Sequence, residues 1–302
     1  MIMNKIEGLI TAPFTPFDDN GNVNISKIKE LQQFYKNNGI AGVFICGTTG
    51  ESSALTFDEK LLMFEEWSKY KSPDFKIIAF LGGTSVKECQ QLARAAQQNR
   101  LDAVSVTAPY YFKPTGNEEL AAFCGEVASA VNLPFYYYHI PSFTGVYFNM
   151  YDLLNRVDGK IPNFAGIKYT YEDVMDYQRC LNFRNKKYNI FWGRDEMLLS
   201  ALAIGATSAV GSTYGYTAPL YLKIMEAYKQ LDIESARALQ LKSTDYIAIL
   251  QKYGGSAGKA FMKAVGMDCG KYRLPVRNMN DEQMTKFMSD LQMTDFFEYC
   301  SK

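Results

Sequence analysis

Apolar residues along the chain gather in eight short runs, at 8–12, 42–46, 76–81, 103–107, 134–138, 164–167, 189–192 and 208–210. Most are continuous rather than alternating with polar positions, the pattern of strands buried on both faces of a parallel sheet. Between the runs the apolar positions change to helical spacing. Ile28, Leu31 and Phe34 follow Ser26, a good N-cap. Thr56 with Glu59, and Ser85 with Glu88, have the separation of a capping box ahead of Leu61 and Phe64 and of Leu92 and Ala96. The next helix starts at Thr115 or Asn117 and carries Leu120 and Phe123, and further helices are predicted at 151–156, 174–181, 196–202 and 220–228.

Eight strand–helix units in about 225 residues match a (β/α)8 TIM barrel, whose usual size is about 250 residues. An open doubly wound sheet uses the same local units and is the second choice. Residues 232–302 carry no clear strand and predict an added C-terminal helical layer, with 236–250 its clearest helix. No Gly/Ser-rich linker sets this layer apart. The expectation is one domain over 1–302, with the barrel in about 1–231 and the helical extension in about 232–302.

Composition narrows the function classes. The 302 residues include 32 basic and 32 acidic side chains, so no net field draws the chain to nucleic acid or an anionic membrane. The hydrophobic share of 47% is ample for a packed core. No run of about 18 apolar residues predicts a membrane span. The first residues show no apolar block of a signal peptide, and none of the six cysteines forms a Cys-x-x-Cys pair. Reduced core thiols and a cytoplasmic protein are expected. The single histidine, His139, excludes a multi-histidine zinc centre.

Several unusual residues fall at the C-terminal ends of predicted strands, the catalytic face of a barrel. Lys168 closes the run Phe164-Ala165-Gly166-Ile167. Desolvation there would lower its pKa and leave part of it as free amine, which can attack a ketone and form an imine. The plainer alternative is a strand-end lysine reaching back to solvent. Tyr138 ends a tyrosine-rich run, and a phenol can shuttle a proton beside an imine. Its neighbours Tyr136 and Tyr137 alternate in direction, and at least one is a core residue. Gly47-Thr48-Thr49-Gly50-Glu51 offers hydroxyls and amides to a carboxylate or phosphate, but lacks the Gly-Lys-Ser/Thr ending of a P-loop. Gly193-Arg194-Asp195-Glu196 places two acids where they could accept hydrogen bonds from a polyhydroxylated substrate, or simply favour a helix dipole. Gly211-Ser212-Thr213 adds hydroxyls at the same face.

With these residues in place, the sequence resembles the N-acetylneuraminate lyase/dihydrodipicolinate synthase family of class I aldolases from about Gly8 to Gly266. The motifs that carry the resemblance are Gly47-Thr48-Thr49-Gly50-Glu51, Tyr136-Tyr137-Tyr138-His139-Ile140-Pro141, Gly166-Ile167-Lys168 and Gly211-Ser212-Thr213. Three features resemble the lyase branch: the segment 134–146, the Gly193-x-Asp195-Glu196 pattern, and Phe143. Phe143 stands where the synthases usually carry an arginine for the second substrate's carboxylate. A phenyl ring cannot make that bidentate contact.

The resemblance implies a homotetramer with no metal or organic cofactor. It implies a small-molecule substrate and a reversible retro-aldol cleavage of sialic acid to N-acetylmannosamine and pyruvate. Lys168 would form the Schiff base and Tyr138 would transfer the proton. Thr48 and Thr49 would bind the pyruvate carboxylate, and Tyr111 would be lent to a neighbouring subunit's site. Thr170, Gly193, Asp195, Glu196 and Ser212 would line the sugar end. The alternatives are cleavage of a 2-keto-3-deoxy sugar acid, dihydrodipicolinate synthesis, and a non-catalytic keto-acid-binding barrel.

Overall fold

A computed structural model describes residues 5–302. Eight parallel strands close into a barrel in sequence order: β1 Gly8–Thr11, β2 Gly42–Ile45, β3 Lys76–Gly82, β4 Ala103–Thr107, β5 Phe135–His139, β6 Phe164–Tyr169, β7 Asn189–Trp192 and β8 Ser208–Gly211. The ring closes where Gly8–Thr11 of β1 pair with Ser208–Gly211 of β8. Every predicted run is a strand, with ends displaced by a residue or two. The largest shift is in β6, which continues through Lys168 and Tyr169. Lys168 is therefore held inside the ladder, opposite Tyr138 of β5 and Phe191 of β7.

Side chains alternate as strand geometry requires. Ile10, Phe44, Phe80, Tyr136, Tyr138 and Phe191 are among those that fill the barrel interior. Tyr137, Ile167, Tyr169 and Trp192 point outward into the larger core shared with the surrounding helices. Burying both faces explains why the strands read as continuous apolar runs.

The helices follow the local signals with specific departures. Thr56 and Glu59 form a complete capping box on Phe57–Ser68, and Ser85 accepts from the Glu88 amide at the start of Val86–Gln98. Ser26 does not cap Ile28–Asn37. A 3₁₀ turn, Ile25–Lys27, precedes that helix, and the Ser26 hydroxyl donates to Asn24 instead. The segment predicted at 196–202 opens as the 3₁₀ turn Asp195–Met197 before Leu198–Ala203. The helix predicted at 220–228 runs over Tyr214–Lys229 with a kink at Thr217. Pro219 lies inside it and hides the first turns from a propensity reading. Beyond the barrel lie the helices Ile233–Tyr253, Ala257–Ala264, Asp281–Gln292 and Phe296–Tyr299 of a C-terminal layer, with an irregular stretch over 265–280. All six cysteines are buried and free. Among the described residues no helix is long and apolar enough to cross a membrane.

Candidate active site

The barrel interior ends at Lys168. Its side chain is 4% exposed and its ammonium nitrogen lies 4.1 Å from the centroid of Phe44 and 4.0 Å from that of Tyr138. Aromatic faces attract the charged form weakly, but the surrounding carbon excludes the water that an ammonium needs. Burial pulls the amine down to about 7, against the opposing charge of Asp195, which raises it. Close to half of the side chain is then unprotonated near neutral pH.

Tyr138 stands beside it through the β5–β6 register. Its ring meets Phe44 and Phe80 edge-on at 5.5 and 5.8 Å, which fixes its direction. The Tyr138 and Thr48 hydroxyls are 3.5 Å apart, at the outer limit of a hydrogen bond. Burial pushes the phenol up to about 12, so it is protonated at rest.

Thr48 and Thr49 belong to a tight loop after β2. Residues on either side of it, Cys46 and Glu51, have left-handed backbone with φ of 55° and 57°. Only turn geometry that is held elsewhere supports such angles at non-glycine positions. Thr48, Thr49, Tyr138 and Ser212 line one cavity of about 840 Å³, which extends to Lys60 and to Leu274.

Thr170, Gly193, Asp195 and Glu196 follow β6 and β7 and, like Lys168 itself, are not part of that cavity's wall. Gly193 is required by contact. A Cβ there would lie 2.0 Å from the Thr170 hydroxyl. Asp195, 6% exposed, accepts from the Thr213 amide at 3.0 Å and the Thr213 hydroxyl at 2.7 Å. A Cβ on Gly211 would strike its Oδ1 at 1.8 Å. Burial raises this carboxyl to about 6. Glu196 faces Arg194, whose Nε is 3.3 Å from its carboxylate, and Arg194 also pairs with Glu172. Tyr111 is set apart. It is 80% exposed, packs edge-on against Phe112, and leaves the cavity wall to Tyr110. Phe143, 71% exposed, does line the cavity.

His139 is buried among aromatic side chains. Its ring lies among Tyr137, Tyr169 and Tyr171, and neither nitrogen has a hydrogen-bond partner among the described residues. Burial holds it down to about 3, so it is neutral. No group of three or more His, Cys, Asp or Glu side chains among the described residues is arranged to hold a metal ion.

The pattern of the dihydrodipicolinate synthetase family matches residues 5–294. The chain belongs to that family. N-acetylneuraminate lyase of Mus musculus is 37% identical over 299 residues, covering 97% of this chain and 93% of the mouse protein. The Homo sapiens N-acetylneuraminate lyase is 37% identical over 302 residues, covering 98% and 94%. The solved Proteus mirabilis N-acetylneuraminate lyase superposes with a TM-score of 0.94 at 35% identity, over 97% of this chain and all of that one. Lys168, Tyr138 and Thr48 come together at one end of the barrel.

Sequence reasoning missed several polar residues around this end. Lys60 is buried against the cavity with its nearest acid, Glu88, 3.8 Å away. Lys259 makes a buried pair with Glu51 at 2.8 Å. Asp176, 2% exposed, accepts from the amides of Met150 and Tyr151 and from the Tyr169 hydroxyl. The available signal for Lys259 was a lone charge inside the apolar stretch 257–262.

Proposed function

We propose that this chain is an N-acetylneuraminate lyase, cleaving sialic acid reversibly to N-acetylmannosamine and pyruvate through a Schiff base on Lys168. The observation that carries the reading is a buried lysine packed against two aromatic rings at the C-terminal end of its barrel strand, with an amine brought down to about 7. Long coverage by lyases of other organisms supports the choice of substrate.

The free amine of Lys168 attacks the C2 ketone of the open-chain sugar. Loss of water leaves an iminium, which can accept the electrons of the C3–C4 bond. Thr48 and Thr49 hold the C1 carboxylate. Tyr138 begins protonated, so it acts as a relay: it takes the C4 hydroxyl proton as it passes its own to that carboxylate. The C3–C4 bond then breaks. N-acetylmannosamine leaves as the aldehyde, and Lys168 keeps an enamine. Protonation at C3 and hydrolysis release pyruvate and restore the amine.

Thr170, Gly193, Asp195, Glu196 and Ser212 receive the sugar tail. Asp195 already accepts two hydrogen bonds from Thr213, so it offers the substrate only its remaining lone pairs. The protein works as a homotetramer in the cytoplasm, and the exposed Tyr111 completes a neighbour's site.

A parallel panel tests this reading. Turnover of N-acetylneuraminate, with little of 2-keto-3-deoxy sugar acids and none of pyruvate with aspartate semialdehyde, is the expected result. A preference for either other substrate set would displace it. Phe143 gives no guanidinium for the carboxylate of the semialdehyde.

A further inference from the structure

The C-terminal helical layer reaches back to the threonine loop at one buried point. Glu51, which directly follows that loop, lines the cavity and meets the helical layer through its carboxylate. Lys259 Nζ lies 2.8 Å from one oxygen, and the Arg273 amide donates to the other at 3.0 Å. The Lys259 and Glu51 side chains are only 4% and 7% exposed. Lys259 also donates to the Lys271 carbonyl at 3.1 Å and lies over the rings of Phe17 and Tyr272.

The loop has few internal means of keeping its shape. Glu51 donates from its amide to Thr48 at 3.1 Å, and Ser52 to Gly47 at 3.1 Å. Thr15 adds one hydroxyl bond to the Gly50 carbonyl at 2.7 Å. Against these stand two left-handed non-glycine residues, each costing on the order of 1 kcal/mol or more. The Arg273 side chain grips the same region from outside, pairing with Glu59 and donating to the Gly21 and Ala54 carbonyls.

A buried ion pair contributes little net stability, because desolvation offsets the attraction. What it supplies is position, since the buried ammonium faces one oxygen of Glu51 while the Arg273 amide donates to the other. We propose that the Lys259–Glu51 pair is a positioning device for the Thr48–Thr49 loop, which makes the C-terminal helical layer part of the apparatus that receives the keto-acid carboxylate. The proposal rests on the reading above, in which that loop binds this carboxylate.

The test is borohydride trapping of pyruvate on Lys168 in the full-length protein, read by mass as a function of pyruvate concentration. Lys259→Met should raise the half-saturating concentration about tenfold, the loss expected from one misaimed charged hydrogen bond. The trapping rate at saturation should stay within about twofold, because Lys168 is untouched. Glu51→Gln with Lys259→Met removes both charges and should recover much of the melting temperature without recovering pyruvate binding. Lys259→Arg keeps the charge and should return the half-saturating concentration towards wild type. Folded charge-removing variants that trap pyruvate at the wild-type concentration overturn the proposal. So does failure of both to fold, which would make the pair purely structural. A wild-type protein that yields no adduct overturns the functional reading itself, and the positioning role with it.

Discussion

Replacing Lys168 by methionine should stabilise the protein while removing its chemistry. The amine falls from an ordinary 10.5 to about 7 on folding, chiefly through burial. The folded value lies below the unfolded one, so between those pH values the unfolded chain holds more protons and stability rises with pH. Below about pH 7 both states are charged, and the full cost of burying the charge applies. A shift of this size corresponds to about 5 kcal/mol.

One effect opposes this. Removing one member of a buried pair usually costs about 3–5 kcal/mol by stranding the other charge. Here Asp195 already has the Thr213 amide and hydroxyl, and Lys168 has no ion-pair partner among the described residues. Desolvation therefore wins, reduced by a weak interaction with Asp195. Methionine also suits the position against Phe44 and Tyr138, since it is flexible and its sulfur packs well on rings. The expected gain is a few kcal/mol near pH 6.5, or on the order of 5 °C in melting temperature. It should shrink as pH rises towards 10. Thermal unfolding of both proteins at equal protomer concentration, at several pH values, reads the difference directly. A methionine variant that melts lower at pH 6.5, or a difference that does not change with pH, would refute the reasoning.

Asp195→Asn removes the charge that raises Lys168, so the acidic limb of pyruvate trapping should move to lower pH; movement to higher pH would reverse the assigned sign. Tyr138→Phe should slow cleavage by about 100-fold or more through loss of the proton relay, while pyruvate trapping on Lys168 persists. The thiols should react slowly with an aromatic disulfide reagent until the protein unfolds, because all six are buried and burial raises Cys46 and Cys89 to about 12. One thiol titrating within seconds would contradict the packing around it.

The strand–helix alternation was legible because burial on both faces leaves a plain signal, and all eight strands lie where the apolar runs fall. The capping box at Thr56 was equally plain, since both partners lie within one turn. Ser26 shows where local reading stops: the hydroxyl had a nearer partner in Asn24, and a 3₁₀ turn took the helix start. Lys168 and Tyr138 stood out as polar groups closing apolar strands, and the structure sets them side by side. Lys259 and Glu51 did not stand out as a pair, because 208 residues of chain separate them and only the folded helical layer joins them. The same holds for the pair Arg273 and Glu59. Asp195 was legible as an acid at the barrel mouth. Its bonds to Thr213 depend on the close approach permitted by Gly211, which no linear pattern reveals.

The most direct measurement is pyruvate release from N-acetylneuraminate by the purified protein, with Lys168→Ala beside it. The account predicts steady release by the wild type and none above background from the variant. Equal release from both would contradict the Schiff-base lysine, and no release from a folded wild type would contradict the substrate.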